Sequence, residues 1–241
     1  MTDRDVVRSW IEENWSLDLS LEEWWARLAA AGYAFPTWPI GFGGQALSFK
    51  EARSVGEALA SFEVIGPPLG NATAMGAPTI LDHGTADQKE RFVVPAVTGQ
   101  EAWAQLFSEP GAGSDLASLS TRAEQDGSEF VLNGQKVWNS YADIAGWGMV
   151  LARTDPDAPK HRGISFMMID MNQPGIEVRP LVQMNGSAEF CEVFLTDARV
   201  RDDDVIGDLN DGWNVAKTTL AYERAGISSG RTRGLFAATP G

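Results

Sequence analysis

Cysteine is almost missing: Cys191 is the only one in 241 residues. A single thiol excludes an internal disulfide and a cysteine-built metal centre. Histidine is nearly as scarce, and His83 and His161 stand far apart, so no histidine-based zinc site is expected. Positive charge is short as well, with 19 Lys and Arg against 33 Asp and Glu and a net charge of −14. That balance opposes nucleic-acid binding, which depends on dense Lys and Arg. An anionic ligand would need a local cluster of N–H groups, hydroxyls or arginines working against the global field. No apolar run reaches the about 18 residues of a membrane-spanning helix. The opening "MTDRDVVRSWIEENW" lacks the apolar stretch of a signal peptide. The expectation is a cytoplasmic protein with no metal, no membrane span and no nucleic-acid partner.

What is present is ordinary for a globular chain: 44% apolar and 22% charged residues, and enough length for one large domain or two smaller ones. Nine tryptophans are many, and they read first as core and interface mass.

The first hundred residues carry helical periodicity. "SLEEWWARLAAAG" opens with a capping box, Ser20 with Glu23; Leu21, Trp24, Trp25 and Leu28 mark one face, and Gly32 is the stop. "KEARSVGEALASF" puts Val55, Leu59 and Phe62 on a second stripe. "TADQKERFVVP" offers another capping box, Thr85 with Gln88, closed by Pro95. The glycine-rich "PIGFGGQA" between the first two stripes reads as a loop.

From about residue 102 the period becomes two. Asp126-Gly127 and Asn133-Gly134 read as two hairpin turns separated by a short strand. "WGMVLART", "GISFMMIDM", "GIEVRPLV" and "EFCEVFLTDARV" follow as strands, giving an antiparallel barrel or sandwich. Asp202 to Asp204 read as a solvated acidic loop. Helical spacing returns in "DGWNVAKTTLAYERAGI", with Trp213, Ala216, Leu220 and Ile227 on one stripe and Glu223 on the same face. A carboxylate there is either salt-bridged or kept for chemistry. This lone amphipathic helix wants a partner that the sequence does not supply, and the tail "SSGRTRGLFAATPG" has no packing pattern.

The segment "AWAQLFSEPGAGSDLASLSTRA" (102–123) is the densest in chemistry. Pro110 rules out a helix interior, and Gly111 and Gly113 suggest a backbone that comes close to something. Leu116 replaces the third glycine of a dinucleotide fingerprint, and no Gly-Lys-Ser/Thr follows, so neither phosphate motif is met. Ser108, Ser114 and the N–H groups of Gly111 to Ser114 could form an anion-binding nest; the alternative is a tight loop at a domain junction. "GISSG" (226–230) fits a nucleophile elbow only formally, because it follows a helix and has no histidine near it. Trp138 is either a half-buried strand aromatic or an indole presented to a planar ligand.

Taken in order, these segments resemble the acyl-CoA dehydrogenase family of flavoenzymes. "QLFSEPGAGSD" is similar to the family's Thr/Ser-Glu-Pro-x-Ala-Gly-Ser-Asp, with Ser108 for the more usual threonine. "LDHGTADQKERFVVPAVTGQ" resembles the helical lead-in, and "LNGQKVWNS" resembles Asn-Gly-x-Lys-x-Trp-x-Thr/Ser. The likeness runs along residues 20 to 230. It implies a multidomain α+β chain: a helical domain over 1–101, a middle β-domain over 102–206, and from 207 to 241 the first helix of a C-terminal bundle that is otherwise almost wholly absent.

The resemblance also implies FAD, with Gln105, Leu106, Phe107, Ser108, Gly113 and Ser114 against it and Trp138, Asn139 and Ser140 along the isoalloxazine. The Ser108 hydroxyl would face the N1/O2 edge, where negative charge develops on reduction. Ser114, Tyr222 and Arg224 would meet the acyl-CoA. Glu223, just before Arg224, matches the position of the catalytic base in a minority of members, its pKa expected to be raised by burial. The implied reaction is α,β-dehydrogenation of an acyl-CoA thioester, with electrons passed to an electron-transfer flavoprotein by a homo- or hetero-oligomer of family members. Two alternatives stay open: a non-catalytic flavin- or CoA-binding subunit completed by a second chain, and an acyl-CoA oxidase or flavin monooxygenase on the same scaffold.

Overall fold

The computed structural model describes residues 4–228; Ile227's side chain, the last two residues of "GISSG" and the tail beyond residue 228 lie outside the described residues. The chain divides into two compact units, Met1–Leu69 with Lys89–Gln100, and Gly70–Gln88 with the residues from Glu101 on.

The first unit is helical. Helices α1 (Arg4–Asn14), α2 (Leu21–Ala30) and α3 (Phe49–Ser61) bury Val7, Ile11, Trp24, Leu28, Val55 and Leu59 in one core. Both arms of the Ser20–Glu23 capping box form, and Gly32 follows α2 at φ +71. A second such box, Ser48 with Glu51, starts α3. Much of the tryptophan is structural here: Trp24 is fully buried, its Nε1–H donates to the Ile65 carbonyl at 2.6 Å, and Trp10 and Trp15 pack against it.

The second unit starts with α4 (Ala77–His83) and the single turn α5 (Ala86–Gln88). Thr85 and Gln88 form the expected reciprocal cap. Pro95 does not close that helix. The chain runs on through Lys89–Val93 into α6 (Val94–Val97) of the first unit, with Pro95 in its first turn, where a missing N–H costs no hydrogen bond.

The strands are β1 (Trp103–Leu106), β2 (Arg122–Asp126), β3 (Glu129–Ser140), β4 (Trp147–Arg153), β5 (Ile164–Asp170), β6 (Ile176–Leu181), β7 (Phe190–Arg201) and β8 (Val205–Ile206). They form one sheet in the order β6-β7-β3-β2-β4-β5-β8, with β1 also on β4. The helical, β, single-helix order stands, but the sheet is mixed. β1 runs parallel to β4 from Trp103↔Trp147 to Leu106↔Val150, and β2 meets β4 in parallel at Arg122↔Arg153. A purely alternating pattern cannot reveal this, because side chains repeat every two residues in either pairing sense.

Asp126-Gly127 turns the β2–β3 hairpin, with Gly127 at φ +66. Asn133-Gly134 is not a turn: both residues lie inside β3. The glycine is required because a Cβ there would stand 2.3 Å from Thr121 Oγ1 and 2.8 Å from Thr121 Cα. Asn133 instead exchanges hydrogen bonds with Asp197 across to β7, at a register shift. Gly134→Ala is therefore expected to destabilise the fold by about 1–3 kcal/mol, the usual cost of overpacking; a urea midpoint unchanged from wild type would contradict this close approach.

Helix α7 (Gly212–Ser228) has partners within the chain, contrary to the expectation of an unpartnered helix. Val215, Ala216 and Thr219 are buried. Thr219 Oγ1 lies 3.1 Å from Thr79 Oγ1, Thr218 Oγ1 is 2.8 Å from His83 Nε2, and the Tyr222 hydroxyl donates to Asp82 at 2.8 Å. The face pressed inward is centred on small and threonine side chains, which a search for large apolar residues passes over. The acidic stretch Asp202–Asp204 is a short 3₁₀ turn with Asp204 buried, and its solvated reading is corrected to that extent. No helix among the described residues is long and apolar enough to cross a membrane.

Candidate flavin site

The site lies in the second unit, where the chain leaves β1 and runs beside the far end of β3. Three carbonyls of the departing segment are captured by β3. Asn139 Nδ2 donates to Gln105 O at 2.7 Å, Lys136 Nζ to Phe107 O at 3.2 Å, and the Val137 N–H to Ser108 O at 2.9 Å. The loop is then pinched by reciprocal bonds between Glu109 and Ala112, both 3.0 Å, leaving Pro110 and Gly111 at the tip.

Beneath the loop sits an ion pair. Lys136 Nζ is 2.8 Å from Glu109 Oε1, and the two side chains are 0% and 5% exposed. The remaining donors of Lys136 go to Phe107 O and to Leu151 O at 2.7 Å. The remaining lone pairs of Glu109 accept from Ser120 N–H, Ser120 Oγ and Thr121 N–H at 2.7 to 2.9 Å. Burial alone would raise the Glu109 pKa, but the Lys136 charge and these hydrogen bonds outweigh it and bring it down to about 2. Desolvation pulls the Lys136 ammonium down to about 8 against the opposing pull of Glu109. Glu109 and Lys136 are fixed positions of the two motifs, Ser-Glu-Pro and Asn-Gly-x-Lys-x-Trp, but neither was expected among the site residues. The available signal was parity: Phe130, Leu132 and Lys136 all fall on the inward phase of β3, so a charge there must find a buried partner.

Trp138 adopts φ +65, a left-handed conformation few non-glycine residues enter and a source of about 1–3 kcal/mol of strain. It sits at a register shift between Lys136 and Asn139, and the bulge turns its indole outward, 62% exposed. The Phe190 ring lies edge-on to it at 6.0 Å. Asn139 points the other way, 1% exposed, and its Oδ1 is buried with no hydrogen-bond partner. Ser140 is half-buried beside it.

Of the other expected site residues, Leu106 and Phe107 are buried in the core, Phe107 edge-on to Phe166, so only their backbone is left to offer a ligand. Ser108 is half-buried; Gly111, Gly113 and Ser114 are exposed. A Cβ at Gly111 or Gly113 would meet nothing, and neither has a positive φ, so nothing among the described residues demands these glycines. Glu223 is half-buried, and its Oε2 accepts from Gln105 Nε2 at 3.4 Å; β1 and α7 thus bring these two together. The Tyr222 hydroxyl is engaged by Asp82, and burial together with that carboxylate pushes its pKa up to about 12; Arg224 is exposed. A separate pocket of about 590 Å³, lined in part by Asp155, His161, Arg162, Asp208 and Trp213, includes none of these residues. Among the described residues no group of His, Cys, Asp and Glu is arranged to hold a metal.

Two family models match the chain. Residues 4–100 match the N-terminal domain and residues 104–198 the middle domain of acyl-CoA dehydrogenase. The chain belongs to the acyl-CoA dehydrogenase family. It is 50% identical over 210 residues to acyl-CoA dehydrogenase FadE34 of Mycobacterium tuberculosis, a match covering 86% of this chain and 29% of that protein. Among solved structures, a steroid ACAD, Tcur3481-Tcur3483, superimposes with a TM-score of 0.71 at 28% identity, over 97% of this chain and 67% of that one. The ChsE4-ChsE5 complex of Mycobacterium tuberculosis gives a TM-score of 0.68 at 30% identity, over 91% and 58%. The chain thus spans less than a third of FadE34 and about three fifths of the ChsE4-ChsE5 chain it matches.

Proposed function

We propose that this chain holds FAD against the loop from Gln105 to Ser114 and the bulge from Trp138 to Ser140, and takes part in α,β-dehydrogenation of an acyl-CoA thioester. The observation that carries the reading is Trp138, a strained residue whose indole is presented to solvent rather than to the core. The open space over Gly111 and Gly113 and the half-buried Ser108 at the same loop suit a planar ligand with an electron-rich edge. When bound, FAD supplies the acceptor for the β-hydride. Ser108 would donate toward its N1/O2 edge, Ser140 toward the N5/O4 side, and Trp138 would cover the ring and exclude water. Glu223 takes the α-proton, and Gln105 steadies its carboxylate. Ser114 and Arg224 face the acyl-CoA, while Tyr222 holds α7 against α4 through Asp82.

In this reading α7 begins a C-terminal helical domain, and electrons leave to an electron-transfer flavoprotein. Assembly with a second chain is supported by likeness to the ChsE4-ChsE5 complex. FAD titration followed by its visible spectrum tests the proposal. Saturable binding, with bleaching on addition of an acyl-CoA, is expected; a chain that leaves the free-flavin spectrum unchanged contradicts it.

A further inference from the structure

We propose that Lys136 and Glu109 are positioning residues for the flavin loop: their buried pair fixes the peptide between Phe107 and Ser108 so that the Ser108 N–H and hydroxyl are presented together. The proposal rests on the FAD reading above and extends it to two residues that touch no ligand. Lys136 has three donors, and all three are used on Phe107 O, Glu109 Oε1 and Leu151 O. It therefore has nothing left to give a ligand directly. Its effect must pass through the loop.

The peptide unit is planar, with C=O and N–H pointing in opposite directions. Drawing the Phe107 carbonyl inward onto Lys136 turns the Ser108 N–H away from the buried ammonium. The neighbouring groups are already committed: Ser108 O accepts from Val137 N–H, and Glu109 N–H donates to Ala112 O. The Ser108 N–H has no acceptor among the described residues. Glu109 completes the clamp from the other end of the turn by tying it to Ser120 and Thr121. Because the pair is neutral overall, its contribution to an anionic flavin edge is orientation rather than net attraction.

The test compares wild type, Lys136→Met and the double variant Lys136→Met/Glu109→Gln. The single variant strands a buried carboxylate and is expected to lose stability. The double variant removes both charges, so its urea midpoint should recover toward wild type. Its loop should not recover. The Glu109, Ala112 and Val137 amides should exchange at least tenfold faster than in wild type while β4 and β5 amides hold, and FAD should bind at least tenfold more weakly with altered visible circular dichroism. A double variant with wild-type loop exchange and wild-type FAD binding would overturn the proposal. If wild type itself binds no FAD, the functional reading falls, and loop exchange alone still decides whether the pair positions the turn.

Discussion

Glu109→Ala is expected to destabilise the protein by about 3–5 kcal/mol at neutral pH, the range found when one partner of a buried ion pair is removed. The variant leaves an ammonium that is 0% exposed with two carbonyls for company, and it orphans the Ser120 and Thr121 donors at the same time. The same carboxylate predicts an acid sensitivity whose sign follows from its depressed pKa. The folded state holds Glu109 at about 2, below the 4.5 of a free glutamate, so its contribution is fully present above pH ~4.5 and is lost as the pH falls toward 2. The gap corresponds to a loss of about 3 kcal/mol. Urea unfolding of wild type and Glu109→Ala at pH 7 and pH 3 checks both statements. The wild-type midpoint should fall on acidification and the variant's should fall less; parallel changes in the two proteins would contradict the assignment.

Glu223→Gln is expected to lower α-proton exchange of a bound acyl-CoA by at least ~100-fold, the lower end of what a positioned general base contributes. Stability should barely change, because the carboxylate is half-buried and makes one long hydrogen bond, 3.4 Å from Gln105 Nε2. FAD affinity should be retained for the same reason, since the flavin loop meets that carboxylate only through the long Gln105 Nε2 contact, which a glutamine at 223 can still accept. Deuterium incorporation at the α-carbon, followed by mass spectrometry in the presence of FAD, separates the outcomes. Wild-type exchange in the variant would remove Glu223 from the mechanism.

The readable features were those whose signals are local. Ser20 with Glu23 and Thr85 with Gln88 are caps whose partners lie three residues away, and Asp126-Gly127 closes a hairpin between adjacent strands. What sequence misread was set by distant contacts. Asn133-Gly134 has the composition of a turn, but the glycine is there for Thr121, thirteen positions upstream. Pro95 has the composition of a helix stop and starts α6 instead. The parallel β1–β4 pairing leaves no trace in period-two alternation. The burial of α7 rests on Val215, Ala216 and Thr219, of which only Ala216 lies on the expected stripe; Thr219 is too polar to register as core.

At the site, the residue types were legible and their arrangement was not. Ser108, Trp138 and Glu223 could be picked from motif and stripe. Nothing in the one-dimensional pattern showed that Trp138 would bulge outward at positive φ, or that Asn139 would reach back to Gln105. The Glu109–Lys136 pair joins residues 27 positions apart, each sitting inside a different motif.

A structure of this chain with FAD tests the central claim most directly. The isoalloxazine ring is expected against the Trp138 indole, with the Ser108 N–H and hydroxyl on its pyrimidine edge. A flavin bound elsewhere, with Trp138 still facing solvent and Ser108 without a ligand, would contradict it.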